Sequence, residues 1–178
     1  MPYSARLASA DDIQVITQIY NQGIEDRIAT LETSQKTETY MLDWLMKRNA
    51  AHKVLVIEDE NGVVCGWASL NPFNSRCCYS GVVDISIYIE RSMRGKGLGK
   101  ILLNALVETA GGQGFHKLVL SALSKNEAGI HLYKAVGFRE VGTYINQGIL
   151  DGKWADVTIM EKLLTNNCCE TVKSCCKG

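Results

Sequence analysis

Apolar positions along the chain repeat with two periods, and the points where the period changes mark its elements. Residues 82–90 are dominated by β-branched side chains and Tyr, with Asp84, Ser86 and Tyr88 alternating with aliphatics, which predicts a strand. The strand runs into a turn holding Gly95, Gly97 and Gly99 together with Arg91, Arg94, Lys96 and Lys100. Leu98, Ile101, Leu102, Ala105, Leu106 and Thr109 then recur at helical spacing, predicting a helix from near Gly97 to about Ala110. Upstream, residues 3–7 read as an edge strand, and Ser9 with Asp12 reads as a capping box. The helix it opens carries the stripe Ile13, Ile16, Ile19, Tyr20, Gly23 and Ile24, and periodicity then lapses over 21–33. A second helix over 37–48 follows from Met41, Leu42, Trp44 and Leu45. Residues 53–58 and 63–70 form strands about an Asn61-Gly62 hairpin turn, followed by a polar loop over 71–81. A strand over 116–121, a short helix over 126–135 stopped by Gly137, and strands over 141–147 and 154–163 complete the chain. The order β-α-α-β-β-β-α-β-α-β-β predicts an α/β fold, a mixed central sheet with helices on both faces.

A strand, a glycine turn and a helix N-terminus gather backbone N–H groups and the positive end of a helix dipole at one point, a cradle for phosphate. The spacing lacks the G-x-x-x-x-G-K-[ST] of a Walker loop. It also has Lys100 where a dinucleotide fingerprint needs its third glycine. Arg94-x-x-Gly97-x-Gly99 remains, and by itself it is a weak signal, with a basic turn before a core helix as the lesser alternative. With 19 basic and 19 acidic residues in 178, no global field favours nucleic acid or an anionic membrane, so the local cations point to a small anionic ligand. One domain over 1–164 is expected. There is no signal-peptide pattern and no apolar run near 18 residues. Four of the seven cysteines, Cys168, Cys169, Cys175 and Cys176, crowd into a polar tail over 165–178 that is expected to be disordered. Reduced thiols in the cytoplasm are therefore expected rather than a disulfide framework. Adjacent thiols lack the C-x-x-C spacing of zinc sites, although they suit a soft thiophile such as trivalent arsenic. His52, His116 and His131 show no ligand spacing, and no metal is expected.

A second motif, Asn126-Glu127-Ala128-Gly129-Ile130-His131-Leu132-Tyr133-Lys134-Ala135-Val136-Gly137-Phe138, stands beyond the first. Together the two resemble the signatures of the GCN5-related N-acetyltransferases (GNAT). Within that superfamily the chain is similar to the phosphinothricin, methionine sulfoximine and arsinothricin acetyltransferase group. The matching stretches are 19–21 with 29–33, 72–79, 83–89 and 152–157. The resemblance implies a GNAT fold, acetyl-CoA as cosubstrate, a small glutamate-like amino acid as acceptor, no nucleic-acid or membrane partner, and a homodimer.

It also implies roles for residues. Asp84 aligns with the family's catalytic Glu and is one methylene shorter, which favours a bridging water. Tyr133 stands at the general-acid position that this branch often fills with His. Ile87, Tyr88 and Ile89 would pair with the pantetheine arm, while Arg94, Gly95, Lys96, Gly97, Leu98, Gly99 and Lys100 hold the phosphates and Asn126 completes the site. Arg27, Thr30, Glu32, Phe73, Arg76 and Tyr79 fall at substrate-loop positions, with Arg76 suited to an anionic group. Trp154 and Asp156 shape the pocket, the subunit contact or the core. Three readings stay open at this point: acetylation of an amino-acid antimetabolite, acetylation of another amine or a protein N-terminus, and a non-catalytic acyl-CoA- or metalloid-binding module.

Overall fold

The computed structural model describes residues 2–164, so the cysteine-rich stretch 165–178 lies outside the described residues. Its elements follow the predicted order: β1 (Tyr3–Leu7), α1 (Ile13–Glu25), α2 (Glu38–Met46), β2 (Val54–Asp59), β3 (Val64–Pro72), β4 (Val82–Ile89), α3 (Leu98–Gly112), β5 (Lys117–Leu123), α4 (Glu127–Ala135), β6 (Arg139–Leu150) and β7 (Lys153–Leu163). The strands form one seven-stranded sheet ordered β1-β2-β3-β4-β5-β7-β6. Only β4 and β5 pair in parallel, and that pairing covers three positions, Val82 with Lys117, Val83 with Leu118 and Asp84 with Val119. Beyond Asp84, β5 continues against β7 while β4 continues against β3, so the sheet splits at this point.

Period-two alternation in β2, β3 and β4 serves two cores. Leu55, Ile57, Ala68, Leu70, Val83 and Ile85 point at α3, whose Leu98, Leu102, Leu103, Leu106 and Ala110 are buried against them; Ile130, Leu132 and Tyr133 of α4 pack beside this core. Val54, Val56 and Trp67 point the other way, against Ile16, Ile19 and Met41 of α1 and α2. Helices thus cover both faces, and among the described residues no helix is long and apolar enough to cross a membrane.

Two local outcomes differ from the sequence expectation. Ser9 does not open the α-helix directly, because Ala10–Asp12 form a 3-10 turn first. The Asp12 carboxylate accepts from the Ser9 N–H at 2.8 Å and hydroxyl at 3.1 Å and is clamped by two guanidinium contacts of Arg6. Hydrogen bonding from Arg6 carries its pKa down to about 2 against the opposing effect of burial. Strand β6 starts before the expected residue 141 and runs to Leu150, with register breaks at Glu140/Gly142 and Tyr144/Gly148. It is an edge strand exposed along nearly its whole length, so no buried face imposes alternation on its sequence.

Gly23 of α1 lets the helix approach β4: a Cβ there would stand 2.8 Å from the Tyr88 ring. That ring cannot yield easily, being stacked on Trp67 with centroids 4.9 Å apart and edge-on to Tyr20 at 5.0 Å. Gly23→Ala should therefore destabilise the protein by about 1–3 kcal/mol despite alanine's better helix propensity. Thermal unfolding checks this: an unchanged or raised Tm would show that Tyr88 moves freely.

Candidate active site

The split between β4 and β5 exposes backbone that a sheet normally consumes. The Glu90 N–H donates to the Cys65 carbonyl of β3, which directs the even-numbered backbone groups of β4 toward β3. By antiparallel alternation, Ile85, Ile87 and Ile89 present theirs on the opposite edge, toward the gap. There the Ile89 carbonyl accepts from Arg94 Nε at 3.0 Å.

At the end of β4 the chain makes a 3-10 turn, Arg91–Met93, and reaches the N-terminus of the fifteen-residue α3. Gly95 and Gly97 hold φ of +77° and +85° with open space where a side chain would lie, so the turn needs glycine and leaves its amides uncovered. Gly99 is small for a different reason, since a Cβ would sit 3.0 Å from Leu132 of α4. A cavity of about 350 Å³ is lined by Ile87, Tyr88, Ile89, Arg94, Gly95, Gly97, Leu98, Gly99 and Lys100, and across the gap by Asn126, Gly129 and Tyr133. Asn126 caps α4, accepting from the Gly129 N–H at 3.0 Å. Lys96 is placed on the exposed side of the turn, its ammonium 3.4 Å from the Met93 sulfur. Asp26 also lines the cavity and binds Arg91 at 2.7 Å and Arg94 at 2.5 Å. Burial alone would raise the Asp26 pKa, but hydrogen bonds from both arginines hold it below the ordinary carboxylate range.

A second cavity, of about 180 Å³, lies on the other side of Tyr88, between the sheet and α1–α2. Tyr20, Tyr40, Trp44, Trp67 and Tyr88 form its aromatic walls, and Glu32, Lys36, Ser69, Asn71 and Ser86 supply polar atoms. Lys36 pairs with Glu32 at 2.8 Å. Thr30 engages the phenols of Tyr20 and Tyr88. Tyr88 therefore forms a wall common to both cavities.

Asp84 sits where the strands part. Burial raises its pKa to about 6, partly offset by hydrogen bonds from the Asn71 side chain and the Ile85 N–H. It lines neither cavity directly, but Asn71 and Ser86 beside it line the second, and Tyr133, which it influences electrostatically, lines the first. Burial, with the Asp84 charge adding to it, pushes the Tyr133 phenol up to about 12.

The other expected residues are dispersed. Arg27, at φ +57°, turns its guanidinium onto the carbonyls of Ile24, Glu32 and Thr33 and onto Asp151 at 3.3 Å, which ties down its own loop. Phe73, Arg76 and Tyr79 line a separate cavity of about 330 Å³ with His52 and Phe115. Lys36, Trp67 and Asp26 were not singled out by pattern: Asp26 lies in the stretch without periodicity, Lys36 in the short link between it and the second helix, and Trp67 reads as ordinary strand core. Tyr88 was expected on the cofactor side, and Ser86 was available, since both share a strand face with Asp84. Among the described residues no cluster of His, Cys, Asp or Glu is arranged to hold a metal ion.

The sequence profile of the Acetyltransferase (GNAT) family matches residues 16–138. The chain is 31% identical over 158 residues to the L-amino acid N-acyltransferase MnaT of Escherichia coli, covering 89% of this chain and 92% of that one. It is 31% identical over 156 residues to an L-methionine sulfoximine/L-methionine sulfone acetyltransferase of Salmonella typhimurium, covering 88% and 91%. A solved GNAT superfamily phosphinothricin acetyltransferase (Pat) from Sinorhizobium meliloti, in complex with AcCoA, superposes with a TM-score of 0.87 at 32% identity, covering 94% of this chain and 91% of that one.

The raised pKa of Asp84 has a consequence for stability. Between about pH 4 and 6 the native state binds more protons at this site than the unfolded chain, so the site's contribution falls as pH rises through that window. Asp84→Asn should thus be more stable than wild type by up to about 3 kcal/mol at pH 8, shrinking below about 1 kcal/mol near pH 4. Denaturant unfolding at the two pH values checks this, and a destabilised variant at pH 8 would contradict the assignment of a desolvated carboxylate.

Proposed function

The chain belongs to the acetyltransferase (GNAT) family, and on that premise we propose that it transfers acetyl from acetyl-CoA to the α-amino group of a glutamate-like antimetabolite of the phosphinothricin, methionine sulfoximine and arsinothricin class. One observation carries the reading: a strand split at a half-buried carboxylate, with a glycine-turn cavity on one side of Tyr88 and an aromatic, polar-floored cavity of single-amino-acid size on the other. The first cavity fits acetyl-CoA. Uncovered amides at Gly95–Gly99, the start of α3 and Lys100 suit its pyrophosphate, and the gap-facing backbone of Ile87 and Ile89 suits its pantetheine amides.

An amine attacks a thioester only when neutral, and an α-ammonium with a pKa near 8 is mostly protonated at pH 7. Asp84, ionised above about pH 6, accepts the proton through a water beside Asn71 and Ser86. The amine nitrogen bonds to the acetyl carbon, the C–S bond breaks, and coenzyme A departs as a thiolate that takes up a proton to become the thiol. Tyr133 stays protonated to about pH 12 and donates a hydrogen bond to the leaving sulfur. Full transfer of its proton to a thiolate of ordinary basicity runs uphill, so hydrogen bonding is its main contribution. At the acceptor, Lys36 rather than Arg76 reads the anionic group, because Lys36 lines the cavity next to Ser86 and Tyr88 while Arg76 lines another.

A second copy of the chain completes the assembly. Edge strand β6 and the adjoining β7 expose Val141, Tyr144, Ile145, Ile149 and Trp154, each more than half accessible, as an apolar band beside an unpaired sheet edge. Sedimentation equilibrium should give twice the chain mass, and Ile145→Lys should shift it toward the monomer. A wild-type protein that stays monomeric at micromolar concentration would remove the dimer. The cytoplasm, where acetyl-CoA is made and thiols stay reduced, is the compartment this reading requires.

Product analysis by mass spectrometry with acetyl-CoA and phosphinothricin, arsinothricin, methionine sulfoximine, glutamate and a short peptide tests the function. One or more of the antimetabolites should be acetylated at least about tenfold faster than glutamate. Acetylation of the peptide alone would overturn the acceptor class. With the best acceptor, kcat/KM should fall below about pH 6, and Asp84→Asn should lose about 100-fold or more in kcat. Lys36→Ala should raise the acceptor KM about tenfold and Arg76→Ala by less than about threefold, a difference of the size expected for one charge-assisted contact. The reverse ranking returns the role to Arg76.

A further inference from the structure

Arg48, just beyond the C-terminus of α2, is a half-buried cation whose hydrogen-bonding partners are neutral. It stacks over Trp44 at 4.5 Å and donates to the carbonyls of His52 and Leu70 and, at 3.1 Å, to Asn71 Oδ1. Burial lowers its pKa to about 10, still well above physiological pH, so it carries its charge into this site. The same Asn71 oxygen accepts from the Ser69 hydroxyl at 3.0 Å. With both donors on the oxygen, the amide nitrogen is left to the opposite side, where it donates to Ser86 Oγ at 3.1 Å and to the Asp84 carboxylate. Asn71 and Asp84 are direct cross-strand partners, so the amide is held beside the carboxylate by register as well.

We propose that Arg48 is a positioning residue for acetyl transfer: its guanidinium fixes the Asn71 amide in the one orientation that presents N–H groups to Asp84 and to the acceptor cavity. A flipped amide would set its N–H groups against the guanidinium, two donors facing each other, while its oxygen faced a carboxylate. Arg48 thereby acts on the proton acceptor through Asn71 without touching substrate. The proposal rests on the reading of Asp84 as that acceptor.

Several ionisable groups surround Asp84. Tyr133 approaches from α4, Tyr88 shares its strand, and Arg48 and His52 lie behind Asn71. Further along the sheet, Lys117 of β5 and Glu161 of β7 are paired with each other. Of these, Arg48 is the one joined to Asp84 through a hydrogen-bonded side chain, so its removal is the informative change.

The test follows the Asp84 carboxyl by ¹³C NMR in the ligand-free full chain, the signal being assigned by its loss in Asp84→Asn. Alongside it, kcat is measured against pH with acetyl-CoA and L-methionine sulfoximine. Arg48→Met should raise the Asp84 midpoint by about half a unit to one unit and shift the acid limb of kcat equally, which is a loss of about 1.2- to 1.8-fold at pH 7 and a larger one below the midpoint. The KM for acetyl-CoA should not change. Arg48→Lys, which keeps a charge and a donor but not the fork, should fall between wild type and Met. Asn71→Ala should reproduce the shift with Arg48 intact, and Arg48→Lys carries the test if Arg48→Met does not fold, wild-type midpoints in it then overturning the proposal. A folded Arg48→Met with both midpoints within about 0.2 unit of wild type overturns the proposal. An unmoved midpoint beside an inactive Asp84→Asn overturns the Arg48–Asn71 arrangement alone. A fully active Asp84→Asn overturns the reading of Asp84, and Arg48's place in the chemistry with it.

Discussion

The structure depends on one constraint: β4 is shared between two partners that cannot both keep it. Its even-numbered backbone groups are committed to β3, and its odd-numbered groups meet β5 only as far as Asp84, because β5 then follows β7 away. Unpaired backbone inside a sheet is unfavourable unless water or a ligand satisfies it. The gap therefore persists where the two cores, packed on opposite faces by α3 and by α1–α2, hold both strands in place. The glycine turn closes one end of the gap and α4 forms its far wall, which brings Tyr133 and Asn126 to the side opposite Ile87.

Desolvation at the apex of the gap gives both titratable groups their properties. It raises Asp84 to about 6 and Tyr133 to about 12, leaving at neutral pH an ionised carboxylate and a protonated phenol on the two sides of the split. The cost falls on stability, and the neighbouring network limits it: Asn71 and the Ile85 N–H hold the carboxylate, and Arg48 and Ser69 hold Asn71. On the cofactor side, Asp26 keeps Arg94 and Arg91 at the turn.

Much of the architecture was legible in the sequence because each central element obeys its period. Residues 82–90 alternate, the helix after Gly97 repeats at helical spacing, and Asn61-Gly62 makes the expected turn, with Gly62 at φ +79°. The glycine turn was also readable, since Gly95, Gly97 and Gly99 cluster between a strand pattern and a helix pattern, and two of the three, Gly95 and Gly97, take positive φ. Strand β6 was blurred because exposure removes alternation, and the contact of Arg6 in β1 with Asp12 in the 3-10 turn after Ser9 has no local sequence signal. The second cavity was the least legible part. Lys36 comes from the loop before α2 while Trp67 and Asn71 come from β3, and Arg76, the residue that motif reading favoured, lines a different cavity. Pattern identifies residues that obey a local period; it does not report which aperiodic ones the topology brings together.

The most direct test of the account is amide hydrogen exchange of β4, residue by residue, without and with acetyl-CoA. The amide of Ile87 faces the gap and should exchange rapidly in the free protein and become strongly protected on binding, while Ser86 and Tyr88, already bonded to β3, should be slow in both states. If acetyl-CoA protects the Gly95–Gly99 turn but leaves Ile87 unchanged, or if Ile87 is already protected in the free protein, the open strand edge is not the binding element and the account fails at its centre.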